Sequence, residues 1–317
     1  MAWLLTPLAL LIERVAGYPA WLYRAIGHPV TWIGALISWL EARLNTGTNR
    51  RLKGIVMLFL LLMTALAAGL LVIAVTRRIP FGWVLEALLA STLLAQKELG
   101  RAVKAVADGL SLSLDSGRRA VSHIVGRDPD TLDEPGVARA AIESLAESTS
   151  DGVVAPLLWL LIGGLPGILI YKAANTADSM VGHKNERYRE FGWASAKFDD
   201  LVNWIPARLT ALLIAGAAFL VRRADPERAW SAALRDARKH DSPNAGWPEA
   251  AFAGGLGFRL GGPRAYEGEV HDLPAFGDGR AELTALDILK ALELFWMAMN
   301  LLLAGAVVLA LVLWRFA

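Results

Sequence analysis

Residues 54–76, GIVMLFLLLMTALAAGLLVIAVT, run for 23 positions without a charged side chain. A helix needs about 20 apolar residues to cross the hydrocarbon core of a bilayer, and inside that core every backbone polar group must be satisfied by the segment itself. The stretch predicts a spanning helix and, around it, an all-α, polytopic integral membrane helical bundle. A second charge-free run extends from Leu294 to Trp314. Residues 152–171 have the length, but Pro156, Gly163, Gly164, Pro166 and Gly167 interrupt them. Residues 79–96 carry one charge, Glu86, and 209–221 form a shorter run extendable back through Arg208 and Pro206. Met1–Leu11 is apolar and has no basic region ahead of it, so it reads as a short, retained membrane-associated helix rather than a cleaved signal. These segments predict four to six membrane helices, one broken or re-entrant, in a single domain over 1–317. The polar loops, at roughly 100–150, 172–205 and 222–290, are expected to fold as helices, with Asp128-Pro129 and Asp225-Pro226 as starts of the cap-then-proline kind.

Composition agrees. The chain is 55% hydrophobic yet 20% charged, as a membrane core with long polar loops requires. A net charge of +2 without a basic run or stacking motif gives no nucleic-acid partner. There is no cysteine, which excludes disulfides, thiolate nucleophiles and cysteine-ligated metals. A metal would use oxygen or imidazole ligands, and oxygen favours a hard ion such as magnesium. Arg50, Arg51 and Lys53 flank one end of the first span and Arg77 and Arg78 the other, so the rule that basic loops stay inside does not orient it. Trp83, Trp204 and Trp314 lie near segment ends, where an aromatic belt would place them.

Four polar clusters stand beside the apolar segments. Arg139, Glu143, Glu147 and Asp151 recur every four residues, which on a helix makes one stripe. Its acids suit magnesium–nucleotide or an ammonium group, and a solvated amphipathic face would show the same spacing. The stripe runs into the broken apolar segment, where unpaired charge is costly. In the second cluster, Asn175, Asp178 and Gly182 share a helical face bracketed by Lys172 and Lys184. Lysines suit phosphate, and Asp with Asn suits hydrated magnesium. A polar interfacial helix is the plainer reading. The third cluster sets Asp199 and Asp200 one turn before Asn203, followed by Arg208. These acids suit a metal or a helix cap equally. The fourth is the turn-rich stretch from His240 through Ser242 and Asn244 to Glu249, followed by glycine pairs and Tyr266. Such loops can cradle anions and are also simply turns. No phosphate-binding glycine loop, serine elbow or paired-histidine metal motif is visible.

Taken in order, GRRAVSHIVGRD, LDEPGVARAAIESLAESTSDGVVAPL, YKAANTADSMVGHKNERYREFGWASAKFDDLVNWIPARLTALL and SPNAGWPEAAFAGGLGFRLGGPRAYEGE resemble the CobD/CbiB family, adenosylcobinamide-phosphate synthase. HPVTWIGALISWLE, from His28, is similar as well, and the resemblance runs from about residue 13 to 290. The sequence departs from the family pattern at Glu13 and Gly17-Tyr18-Pro19, at Ala146-Glu147-Ser148, and at Asp241, where a basic residue is usual.

The resemblance implies an ATP- and magnesium-dependent ligase, multi-pass in the cell membrane. It would join adenosylcobyric acid to (R)-1-amino-2-propanol phosphate or a related amino-alcohol or threonine phosphate. Glu143, Glu147, Asp151 and Asp178 would be catalytic. Glu147, Asp151, Asp178, Asp199 and Asp200 would serve the metal. Arg118, Arg139, Lys172, Asn175, Lys184, Arg208, Ser242 and Asn244 would bind substrate or phosphate. Besides the bilayer, a second copy or other membrane enzymes of cobalamin assembly are expected partners. A straight span at 152–171 would put the Glu147 stripe and the Asp178 helix on opposite sides, so this segment is expected to be a re-entrant or broken helix rather than one straight crossing. The alternative is a non-catalytic membrane transporter or sensor, since broken helices with intramembrane acids mark those as well.

Overall fold

The computed structural model describes residues 2–126, 129–262, 264–266, 269–271 and 274–316, and of residues 2, 264–266 and 269–271 the backbone alone. Fourteen α-helices are seen among the described residues. They are α1 (Ala2–Ala16), α2 (Ala20–Ile26), α3 (Pro29–Leu44), α4 (Arg50–Thr76), α5 (Gly82–Ser91), α6 (Gln96–Leu112), α7 (Leu114–Val121), α8 (Glu134–Thr149), α9 (Ala155–Val181), α10 (Trp193–Val202), α11 (Trp204–Ala218), α12 (Pro226–Asp236), α13 (Gly246–Leu256) and α14 (Ala285–Arg315). A π-helical turn, Ser150–Val154, joins α8 to α9. The all-α expectation holds, with small additions. Leu260–Gly261 pairs antiparallel with Ala275–Phe276, and Arg264–Tyr266 with Glu269–His271.

Among the described residues three helices are long and apolar enough to cross a membrane: α4, the stretch within Glu134–Val181, and α14. A fourth is counted if α10 and α11, bent at Asn203, form one span. This is the low end of the four to six expected. The apolar run at 79–96 yields only the ten residues of α5, too short to span. Asp225 caps α12 as its sequence predicts, accepting from the Arg228 N–H at 3.0 Å with Pro226 in the first turn. Asp128 lies outside the described residues. The helix after it starts later, where the Asp133 carboxylate accepts from the Gly136 N–H at 2.8 Å.

The chain gathers into two compact units, each assembled from separated stretches. The first comprises residues 1–95, 155–203 and 306–317. Its core packs Ile37 and Leu40 of α3, Met57 and Leu61 of α4, and Ala173, Ala177 and Val181 of α9. Lipid is as apolar as these side chains, so close van der Waals fit has to hold them, and small residues permit it. At Gly69 of α4 a Cβ would come within 2.7 Å of the Pro166 Cα.

α9 does not run straight. Gly164 takes φ 60° and ψ −151°, a conformation open in practice to glycine alone, and Pro166 follows. A Cβ on Gly167 would lie 2.3 Å from the Trp159 carbonyl oxygen. Eight residues of straight helix would separate those positions by about 12 Å. Ala155 shares one hydrophobic cluster with Tyr171 and Ala174. α9 is therefore a hairpin, turning at Gly163-Gly164 and returning to the end from which it set out. This is the break expected from its glycines and prolines.

The second unit comprises residues 96–154 and 204–305. In it α12 packs on α13, α6 on α7, and α11 on α13.

Candidate functional site

In the first unit the returning half of α9 lies against α10, and the facing side chains form a polar seam. The Tyr171 hydroxyl donates to Asn203 Oδ1 at 2.9 Å. Asn203 Nδ2 donates to Asp199 Oδ2 at 2.9 Å, and Asn175 Nδ2 reaches Asp199 Oδ1 at 3.4 Å. Tyr171, Asp199 and Asn203 are all buried. Asp178 and Asp200 both stand close enough to Asp199 to repel its charge. Lys197 donates to Asp200 at 3.0 Å. Asp178 folds over Gly182, where any Cβ would meet its Oδ1 at 1.9 Å. The three-and-four spacing of Asn175, Asp178 and Gly182 does put them on one face. Lys172 lies near His28, the cap of α3. Burial, then the Lys172 charge, hold that imidazole below its ordinary value. Lys184 is exposed beyond the end of α9. Asp199 does not cap α11, because both its oxygens face Asn175 and Asn203.

In the second unit the acid stripe on α8 divides its tasks. Glu143 is buried and accepts from the Gly261 N–H at 2.7 Å, while Arg139 Nη1 donates to the Gly261 carbonyl at 3.1 Å. The two side chains hold the backbone of one residue, Glu143 at its N–H and Arg139 at its carbonyl. Gly261 has φ +71°, and a Cβ there would come within 2.3 Å of the Pro274 carbonyl. Glu147 is exposed, and Asp151 is half-buried in the π-helical turn. Such turns recur at functional sites. Arg118 Nε donates to the Leu132 carbonyl at 2.8 Å and pins the loop before α8.

Arg208 of α11 meets the loop that leads into α13. Its Nη1 donates to the Trp204 carbonyl at 2.6 Å and to Asn244 Oδ1 at 3.3 Å. The guanidinium also lies 4.2 Å from the Trp204 ring centroid and 4.7 Å from that of Trp247. Ser242 Oγ accepts from the N–H groups of Asn244 and Ala245, at 3.2 and 3.3 Å. The charge of Arg238 bears on Arg208 as well, so this corner is cationic. Arg238 escapes a reading by motif, and Trp247, though inside the singled-out stretch, meets Arg208 only through the folded loop. The Tyr266 side chain, singled out after this loop, lies outside the described residues.

No group of three or more His, Asp or Glu placed to hold a metal ion occurs among the described residues. The donors of the seam are all oxygen and amide. Magnesium commonly keeps several waters and takes one or two carboxylates plus phosphate oxygens. The seam fits that mode and not a cage made by protein alone.

The family model described as CobD/Cbib protein matches residues 6–295. A Brucella anthropi protein named cobalamin biosynthesis protein CobD is 49% identical, the alignment covering 96% of this chain and 95% of that protein. Proteins of the same name from Rhodobacter capsulatus and a Sinorhizobium species are 50% and 47% identical, over 91% and 98% of this chain and the same shares of their own. No solved structure matches. With a match over nearly its whole length, the chain belongs to the CobD/CbiB family.

Proposed function

We propose that this protein is an ATP-dependent amide ligase of cobalamin biosynthesis in the cell membrane. It would condense adenosylcobyric acid with (R)-1-amino-2-propanol phosphate, or a related amino-alcohol or threonine phosphate, to adenosylcobinamide phosphate. The observation that carries the reading is the carboxylate–amide seam where the returning half of α9 lies against α10. It belongs to a chain whose relatives bear the name of cobalamin biosynthesis proteins.

A carboxylate does not take up an amine in neutral water. ATP would phosphorylate the corrinoid carboxylate, releasing ADP. The free amine then attacks the acyl carbon, the C–N bond forms, inorganic phosphate leaves and the amine gives up a proton. Magnesium, when bound, would neutralise charge on the phosphoryl group. Asp178, Asp199, Asp200 and Asn175 would hold its water shell, and Lys172 and Lys184 phosphate oxygens. In the second unit Glu147 and Asp151 would take the amine or a metal ion. Arg208, Ser242 and Asn244 would hold the amino-alcohol phosphate or a corrinoid side chain. Glu143, Arg139 and Arg118 would act at one remove, by fixing the Gly261 and Leu132 backbone.

Purified Glu147→Gln and Asp178→Asn variants that stay folded in detergent test the assignment. Each should lose at least 10-fold in turnover, about 1.4 kcal/mol of barrier. Wild-type rates in both would refute it. A protein that binds corrinoid yet never hydrolyses ATP with both substrates present would support the transporter or sensor reading instead.

A further inference from the structure

Around the first turn of α4 the fold gathers cations that are far apart in sequence. Arg50, Arg51 and Lys53 open the helix, and Arg43 ends α3. Arg187 comes from the turn between α9 and α10, which also carries Lys184 and Arg189. Specific bonds hold the group together. Arg187 Nε and Nη2 donate to the two oxygens of Glu41 at 3.1 and 3.0 Å. Arg50 donates to the Arg187 carbonyl, and Lys53 Nζ to that of Thr46 at 2.6 Å. The Arg187 hydrogen bond holds the Glu41 carboxyl below the usual range, against the effect of its burial.

In sequence, Arg50, Arg51 and Lys53 balance Arg77 and Arg78 too evenly to orient α4. Folding changes the comparison. Arg187 now joins Arg50, Arg51 and Lys53 at its first turn, with Arg43 at the end of α3 and Lys184 and Arg189 in the same connecting turn as Arg187, while Arg77 and Arg78 follow its last. Two of these cations stack on indoles. The Arg43 guanidinium lies 4.1 Å from the Trp39 ring centroid and that of Arg51 3.8 Å from the Trp193 ring. Trp39 is 50% exposed and Trp193 39%. An exposed indole topped by a guanidinium at the end of an apolar helix suits the boundary between hydrocarbon and headgroups.

We propose that this end of the first unit faces the cytoplasm, with its arginines set against anionic phospholipid headgroups of the inner leaflet. Lys and Arg are retained on the cytoplasmic side during insertion, and the anionic leaflet attracts them once there. The inference stands on charge placement and aromatic packing, independently of the reaction proposed above.

The chain has no native cysteine, so single-cysteine reporters are free of background. Thr48→Cys, in the exposed turn before α4, and Arg78→Cys, beyond it, can be probed with a membrane-impermeant maleimide. Arg78→Cys should react in intact cells, and Thr48→Cys only in inside-out vesicles. The reverse pattern overturns the orientation. For the headgroup contact, the full chain is placed in nanodiscs of phosphatidylcholine, with or without phosphatidylglycerol. The anionic lipid should raise its melting temperature, and Arg43→Gln/Arg51→Gln should lose most of that gain. High salt should lose it too, without any substitution, because it screens the charges. No gain in the unaltered protein, or a gain untouched by both salt and the double substitution, overturns the contact.

Discussion

Glu143, one of the four-residue stripe, is held by the backbone it faces. Its carboxylate accepts the buried Gly261 N–H at 2.7 Å. Glu143→Ala would leave that donor unpaired, at a cost of about 1–3 kcal/mol, read as a lowered melting temperature in detergent. Glu147→Ala, on the exposed side of the same helix, should leave the melting temperature nearly unchanged. Asp236 of α12 provides a pH test away from the membrane segments. Burial alone would raise its pKa, but hydrogen bonds from Arg235, Lys239 and the Gly277 N–H outweigh it and hold the carboxyl well below the usual range. A depressed carboxylate stabilises the fold above the unfolded pKa, about 3.9 for Asp. That contribution is lost as pH falls through the folded value. The stability difference between the unaltered protein and Asp236→Asn should hold steady from neutrality to about pH 4 and shrink below it. A difference that grows on acidification would contradict the arrangement. At this scale the sequence discloses pairs one turn apart, such as Asp199 and Asn203. It hides Tyr171 with Asn203 and Glu143 with Gly261, which meet only through tertiary packing.

At the scale of elements, local chemistry was the better guide. Uninterrupted apolar length marks α4, the Asp-Pro start marks α12, and the glycines and prolines at 163–167 mark the turn in α9. The limits of α5 and the short ladders near Gly261 were not legible. Hydropathy cannot say where an apolar run stops being helix, and two-residue strands leave no alternating pattern. The hairpin makes its own prediction. Gly164→Ala puts a Cβ where φ is +60° and ψ −151°. It should destabilise the protein by about 1–3 kcal/mol, seen by thermal unfolding in detergent. A neutral substitution would mean that α9 does not turn there.

For the whole molecule, the two interleaved units explain why no boundary appears in the chain: each returns to the other's stretch of sequence. Membership of the CobD/CbiB family was legible because its motifs are long and stand in order. Catalysis is the claim most in need of direct measurement. The purified protein in nanodiscs should be given adenosylcobyric acid, (R)-1-amino-2-propanol phosphate, ATP and magnesium, and nucleotide and corrinoid products followed together. The account predicts ADP and adenosylcobinamide phosphate in equal amounts, with no ATP consumed when either substrate is withheld. AMP in place of ADP, or amide formed without ATP cleavage, would contradict it.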